Sequence, residues 1–243
     1  MELTDEKIGQ MAQKAVQHFW LARDLQATRQ KTSGKTDQGY RGAVTGGAQM
    51  NGFVDALKEL ACLAGISPGD VYSKHSLLEL PGYFRPTKEW DILIVQKGVL
   101  LAAIEAKSQV GPSFGNNFNN RTEEAMGSAL DLWTAFREKA FGGAVRPWLG
   151  YIFLLEDCLR SQRPVGVKEP HFRVFPEFRL ASYAKRYALF CGKLVLERHY
   201  DAAALLTSTR EEGTKGVFTE PCPEIGFKRF VRSLFAHLQG SKQ

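Results

Sequence analysis

Two branched, apolar runs, Ile92 to Val95 and Val99 to Ile104, constrain the chain more than any other stretch. Runs of this kind suit strands buried on both faces. Between them stands Lys97-Gly98, and the glycine supplies the positive φ that a tight turn needs. The segment from Glu89 to Lys107 therefore predicts a buried hairpin with ionisable residues at the far end of each strand. Side chains alternate along a strand, so Glu105 and Lys107 share one face and Ala106 takes the other. Pairing of residue 91 with residue 105 would bring Asp91 onto the face of Glu105 and Lys107. That register requires a three-residue loop, Lys97 to Val99, or a bulge, because a two-residue loop sets Asp91 opposite Ile104.

Two carboxylates held close repel unless a cation sits between them. Carboxylate and carbonyl oxygens suit Mg²⁺, which keeps waters and phosphate oxygens as its other ligands. A neighbouring lysine can then orient an attacking water or stabilise charge on a phosphate. Asp91, thirteen intervening residues and Glu105-Ala106-Lys107 have the spacing of the PD-(D/E)xK nuclease core, although the proline, Pro86, is not adjacent to the aspartate. An acidic-x-Lys triple arises by chance about once in a chain of this size, and Asp5-Glu6-Lys7 is such a decoy at a helix start. On the motif alone, a catalytic cation site and an ion pair on an ordinary hairpin are both open.

The residues that follow decide between them. Ser108-Gln109-Val110-Gly111-Pro112-Ser113-Phe114-Gly115-Asn116-Asn117-Phe118-Asn119-Asn120-Arg121-Thr122-Glu123-Glu124-Ala125 resembles the XhoI-type family of type II restriction endonucleases. The likeness extends through Asp131-Leu132-Trp133-Thr134-Ala135 and, more loosely, along most of the chain. The resemblance implies a Mg²⁺-dependent homodimer that cuts both strands of the palindrome CTCGAG in double-stranded DNA. It also implies a companion DNA methyltransferase that protects the host. The catalytic residues it implies fall on Asp91, Glu105 and Lys107, with Asp91, Glu105 and the Ala106 carbonyl as metal ligands. Glu59, on a preceding helix, is a further candidate ligand, against an ordinary surface charge. A non-catalytic DNA-binding protein, or a structure-specific repair nuclease, on the same scaffold is the alternative.

Composition bounds the rest. The 243 residues fit one domain, 44% of them are hydrophobic, and the net charge of +6 permits a nucleic-acid partner without requiring one. Cys62, Cys158, Cys191 and Cys222 stand far apart, which argues against zinc ribbons and disulfide frameworks. The five histidines are scattered singly, so histidine-metal chemistry loses support. The start Met1-Glu2-Leu3-Thr4-Asp5 has no apolar signal region and no run is long enough to span a membrane, so a cytoplasmic protein is expected.

Along the chain, apolar periodicity predicts helices over residues 4 to about 28 and 48 to 64, and from Thr122 to about Lys139. It predicts another from Arg179 to Thr207 and a last one from Ile225 to Leu238. Pro147 to Leu155 reads as a buried strand reached by a crossover from the Glu105 strand. The expected fold is α/β, a restriction-endonuclease-like mixed sheet flanked by helices in a single domain. Three polar segments are candidates for DNA contact, each against a plain solvated loop. Residues 29–48 carry Lys31, Lys35 and Arg41, and their Gly34-Lys35-Thr36 lacks the first glycine of a P-loop. Residues 108–121 carry Ser108, Gln109, Asn116, Asn117, Asn119, Asn120 and Arg121, and residues 156–173 carry Arg160 and Arg163. The apolar stripes of the first and last helices could form a dimer seam.

Overall fold

The computed structural model of the chain describes residues 2–32, 48–142 and 145–241. Helix α1, Asp5–Thr32, starts where the Thr4 hydroxyl accepts the Lys7 amide and where Asp5 and Glu6 complement the helix dipole. Helix α2, Asn51–Leu63, packs against it. A connector then carries the short strands β1, Val71–Tyr72, β2, Glu79–Pro81, and β3, Thr87–Glu89. Strands β4, Ile92–Gln96, and β5, Val99–Gln109, form the expected hairpin. Helix α3, Phe114–Arg137, strand β6, Trp148–Glu156, helix α4, Tyr183–Leu196, strand β7, Ala202–Ser208, and helix α5, Phe227–Gly240, follow.

The main sheet runs β1-β4-β5-β6-β7, antiparallel across its first two pairings and parallel across β5-β6 and β6-β7. It is the mixed sheet anticipated, and the crossover from β5 through α3 returns to a parallel neighbour as expected. Alternate residues on each strand feed two cores. Ile92, Ile94, Ala102, Ile104, Ala106, Ile152 and Leu206 face α1, α2 and α5. Leu93, Ala103, Tyr151, Phe153 and Leu205 face α3 and α4. At roughly 1.5–3 kcal/mol for each large apolar side chain fully buried, these two layers supply the main drive to fold.

The hairpin closes with both alternatives in play. Its turn is two residues long, with Lys97 at φ 51° and Gly98 at φ 78°. The register then shifts between Val95↔Leu100 and Ile94↔Ala102, which leaves Leu101 as the extra residue of a bulge. Leu101 and Ala102 consequently face the same core. Beyond the bulge Ile92 pairs with Ile104, so residue 91 stands opposite residue 105.

Two helix expectations are corrected. Helix α3 begins at Phe114, eight residues before the predicted start, so the asparagine-rich stretch is helical instead of a loop. Phe114 stacks on Tyr183 and Phe118 packs edge-on against Tyr187 of α4, and that packing outweighs the poor helix propensity of asparagine. The single helix expected over 179–207 is instead α4 and β7, separated at Arg198, whose φ is 58°. Ala202 to Ser208 are all buried, and pairing with β6 at the end of the sheet overrides alanine's helix preference.

Asp131 on α3 ties down the turn that leads into β3. It is buried and accepts the amides of Tyr83 and Phe84 at 2.7 and 2.9 Å and the Arg85 Nε at 2.7 Å. Burial alone would raise its pKa, but these donors outweigh burial and hold it below the ordinary carboxylate value. Its stabilisation is therefore present above the unfolded pKa and lost as pH falls through the lower, folded one. Asp131→Ala should cost about 1.5–3 kcal/mol at neutral pH, measured by urea unfolding. The gap to wild type should close as the medium is acidified below the carboxylate range.

Candidate active site

The bulge and the pleat bring Asp91, Glu105 and Lys107 to one end of the sheet. Asp91 Oδ2 accepts the Ala106 amide at 2.8 Å and lies 3.2 Å from Lys107 Nζ. The same ammonium lies 3.2 Å from Glu105 Oε1. One lysine therefore bridges the two carboxylates, which is where a cation is electrostatically favoured. A second ammonium, from Lys88 on β3, also reaches Glu105 Oε1 at 3.2 Å and lies over the Trp90 ring, 4.7 Å from its centroid. On the inner side, the Tyr200 hydroxyl donates to the Ala125 carbonyl at 3.0 Å and stands 3.4 Å from Glu105 Oε2.

Glu105 is almost wholly enclosed, its side chain 3% exposed. Burial would raise its pKa; the Lys107 and Lys88 charges outweigh it and hold the carboxyl below its usual value. For Lys107 burial works toward neutrality, and the Glu105 and Asp91 charges reverse it, so the amine is pushed above its usual value. Lys107 is thus held as an ammonium in the metal-free protein, a donor and an electrostatic partner to both carboxylates.

Two clefts meet at Lys107 and Arg121. One, of about 620 Å³, takes in Arg85, Lys88, Glu105 and Ser128; the other, of about 740 Å³, takes in Asp91, Ser108, Asn116, Asn117 and Asn120. Together they form a groove across the end of β5, with the carboxylates at its middle. The donor set fits a hard divalent ion: two carboxylates and the neighbouring Ala106 carbonyl, with room for waters and phosphate oxygens. The described residues contain no group of three or more His, Cys, Asp or Glu side chains placed to hold a metal.

A family model described as "Restriction endonuclease XhoI" matches residues 29–220, which include the hairpin and both walls of the groove. The chain belongs to this restriction endonuclease family. It is 55% identical over 213 residues to the type II restriction enzyme BstVI of Geobacillus stearothermophilus, covering 86% of this chain and 94% of that one. It is 44% identical over 200 residues to the type II restriction enzyme XhoI of Xanthomonas vasicola, covering 81% and 79%. A third relative, the type II restriction enzyme AbrI of Azospirillum brasilense, is 47% identical over 173 residues, or 71% and 77% of the two chains. No solved structure matches the chain significantly. Identity at this level over most of the length makes the protein a site-specific DNA endonuclease.

Of the residues expected to touch DNA, Ser108, Asn116, Asn117, Asn120 and Arg121 line the groove, and Asn119 is exposed on α3 outside it. Gln109 is committed elsewhere: it is 3% exposed, donates to the Ser113 carbonyl at 3.0 Å and accepts from the Tyr187 hydroxyl. It lines the same cleft, but its amide already bonds Ser113 and Tyr187 and so holds α3 and α4 against β5. Glu59 does not join the carboxylates. It pairs with Lys7 at 3.0 Å, its side chain 49% exposed, two and a half turns or about 13 Å along α2 from the end that meets the groove. Arg160 and Arg163 are exposed where β6 ends, at the same end of the sheet as Gln109, but outside both clefts. Lys35, Arg41 and the side chain of Lys31 lie outside the described residues.

Three contributors escaped the sequence reading. Lys88 stands in a connector without periodicity, and Tyr200 sits in a segment read as helix. Gln49 donates to the Ser108 hydroxyl at 3.4 Å while Arg23 donates to Gln49 at 3.1 Å, so α1 also reaches the groove. None of these carries a local motif.

Replacing Asp91 or Glu105 with alanine should abolish DNA cleavage while duplex binding survives, because most of the groove is untouched. Lys107→Arg should recover only a small part of the activity, since a planar guanidinium cannot take the place of a compact ammonium between two carboxylates. Near-normal turnover of Asp91→Ala or Glu105→Ala in a plasmid assay would mean that the chemistry lies elsewhere.

Proposed function

We propose that the protein is a Mg²⁺-dependent type II restriction endonuclease that acts as a homodimer and hydrolyses both strands of DNA at CTCGAG. The observation that carries this reading is the single ammonium of Lys107 at 3.2 Å from both Asp91 and Glu105, on a groove walled by polar helix residues. The sequence CTCGAG rests on the resemblance to the XhoI-type enzymes, and so does a companion methyltransferase that would protect the host's copies of the site.

Asp91, Glu105 and the Ala106 carbonyl would hold the metal. When bound, Mg²⁺ lowers the pKa of a coordinated water and screens charge on the phosphate. Lys107 donates a hydrogen bond to the attacking water or to a phosphate oxygen, which orients the water in line with the leaving oxygen. The water oxygen bonds to phosphorus and its proton passes to solvent, while the phosphorus–oxygen bond to the sugar breaks and the leaving oxygen takes a proton from solvent to become a hydroxyl. Asn116, Asn117 and Asn120 have amides able to read base edges, and Arg121 can pair bidentately with guanine.

A palindrome presents one half-site twice about a two-fold axis, and one chain supplies one carboxylate pair, so a C₂ dimer matches the target. With Mg²⁺, phage DNA should fall into the discrete fragments that CTCGAG cleavage dictates, and methylated sites should resist. The free protein should sediment as a dimer and convert supercoiled plasmid to linear with little nicked circle on the way. A smear, a different fragment ladder, or a monomer whose main early product is nicked circle would overturn this reading.

A further inference from the structure

Two ammonium groups converge on one oxygen of a buried carboxylate, and only one of them has a second carboxylate to hold it. Lys107 bridges Glu105 and Asp91. Lys88 has Glu105 as its carboxylate partner, and its other contacts are the Glu89 carbonyl and the face of Trp90. The two remaining cations of the smaller cleft have partners of their own: Arg85 has Asp131 at 2.7 Å and Arg121 has Glu124 at 2.6 Å. Among the described cations of that cleft, Lys88 is therefore the one whose carboxylate partner is Glu105 alone.

We propose that Lys88 is an exchangeable counter-ion that links cation binding to DNA binding: its ammonium neutralises Glu105 in the free protein and passes to a DNA phosphate once a divalent cation occupies that carboxylate. The inference rests on the reading of Asp91 and Glu105 as the cation site. A carboxylate this deeply enclosed needs opposite charge beside it in the free protein, and Lys88 and Lys107 supply it. A divalent ion at the same oxygen supplies that charge itself and repels both ammonium groups. Lys107 keeps Asp91. Lys88, with a four-carbon flexible stem and a side chain 16% exposed, opens onto the cleft where a phosphate would lie. The phosphate that receives it lowers the cost of displacing it, so DNA must strengthen cation binding and the cation must strengthen DNA binding by the same factor.

Lys88 acts through Glu105 and is a positioning residue, so its test reads metal affinity and not turnover. Ca²⁺ alone is titrated calorimetrically into the full-length protein, with and without a short CTCGAG duplex, for wild type, Lys88→Met and Lys88→Arg. Wild type should bind Ca²⁺ weakly without DNA and markedly tighter with it. Lys88→Met should bind Ca²⁺ about tenfold tighter than wild type without DNA, because a positive charge beside the ion is gone. The duplex should then add little, and the salt dependence of duplex binding should fall by about one phosphate contact. Lys88→Arg keeps the charge and should behave as wild type. Ca²⁺ affinity in DNA-free Lys88→Met equal to or weaker than wild type would overturn the exchange, even with Asp91 and Glu105 confirmed as ligands. Absence of Ca²⁺ binding by wild type in both conditions would overturn the cation site itself, and this inference with it.

Discussion

A one-residue bulge at Leu101 decides whether Asp91 shares a face of the sheet with Glu105 and Lys107. Without it, the two-residue turn at Lys97-Gly98 would set Asp91 opposite Ile104 instead of Glu105, because each step of register reverses the faces. With it, Asp91 and Glu105 stand opposite each other, and the Ala106 amide points at Asp91 Oδ2 from 2.8 Å. The bulge is held from both sides: Leu100 is buried against α3 and α4, and Leu101 and Ala102 against α1, α2 and α5. Both cores thus enforce the register, and the register assembles the site.

The electrostatics follow from the same placement. β5 runs through the middle of the sheet, so Glu105 at its inner end is buried, while Lys107 two residues on reaches the groove. A lone buried carboxylate would be driven toward its neutral form. Here Lys88 and Lys107 keep it charged, Lys88 brought there by the turn that Asp131 anchors to α3. That arrangement keeps a negative charge among the residues that line the groove, where the proposed cation would sit.

Much of this was legible in the residues themselves. Branched apolar runs around Gly98 marked the hairpin, and alternation placed Glu105 with Lys107. The long periodic stretches in α1, α2 and α5 were readable because one face of each is apolar over several turns. What could not be read depended on distant packing. The asparagines of α3 are poor helix formers held in place by aromatic packing between Phe114, Phe118 and α4. Ala202 to Leu206 look helical by composition and are strand because they pair with β6 as the last strand of the sheet and are buried there. Lys88, Tyr200 and Asp131 come to their partners from 17, 95 and 48 residues away, respectively, and no local pattern announces such pairs. Glu59 shows the reverse case: an acid at a tempting place in the order of elements, turned outward to Lys7 by the helix's own rotation.

The claim at the centre is that one divalent cation binds between Asp91 and Glu105, in the place marked by the Lys107 ammonium. Anomalous scattering from Mn²⁺ in crystals of the protein bound to a CTCGAG duplex tests it most directly. The account predicts a peak in each active site touching Asp91, Glu105 and the Ala106 carbonyl, beside the phosphate at the cut. A peak elsewhere in the groove, or ordered DNA with no metal at these two carboxylates, would contradict it.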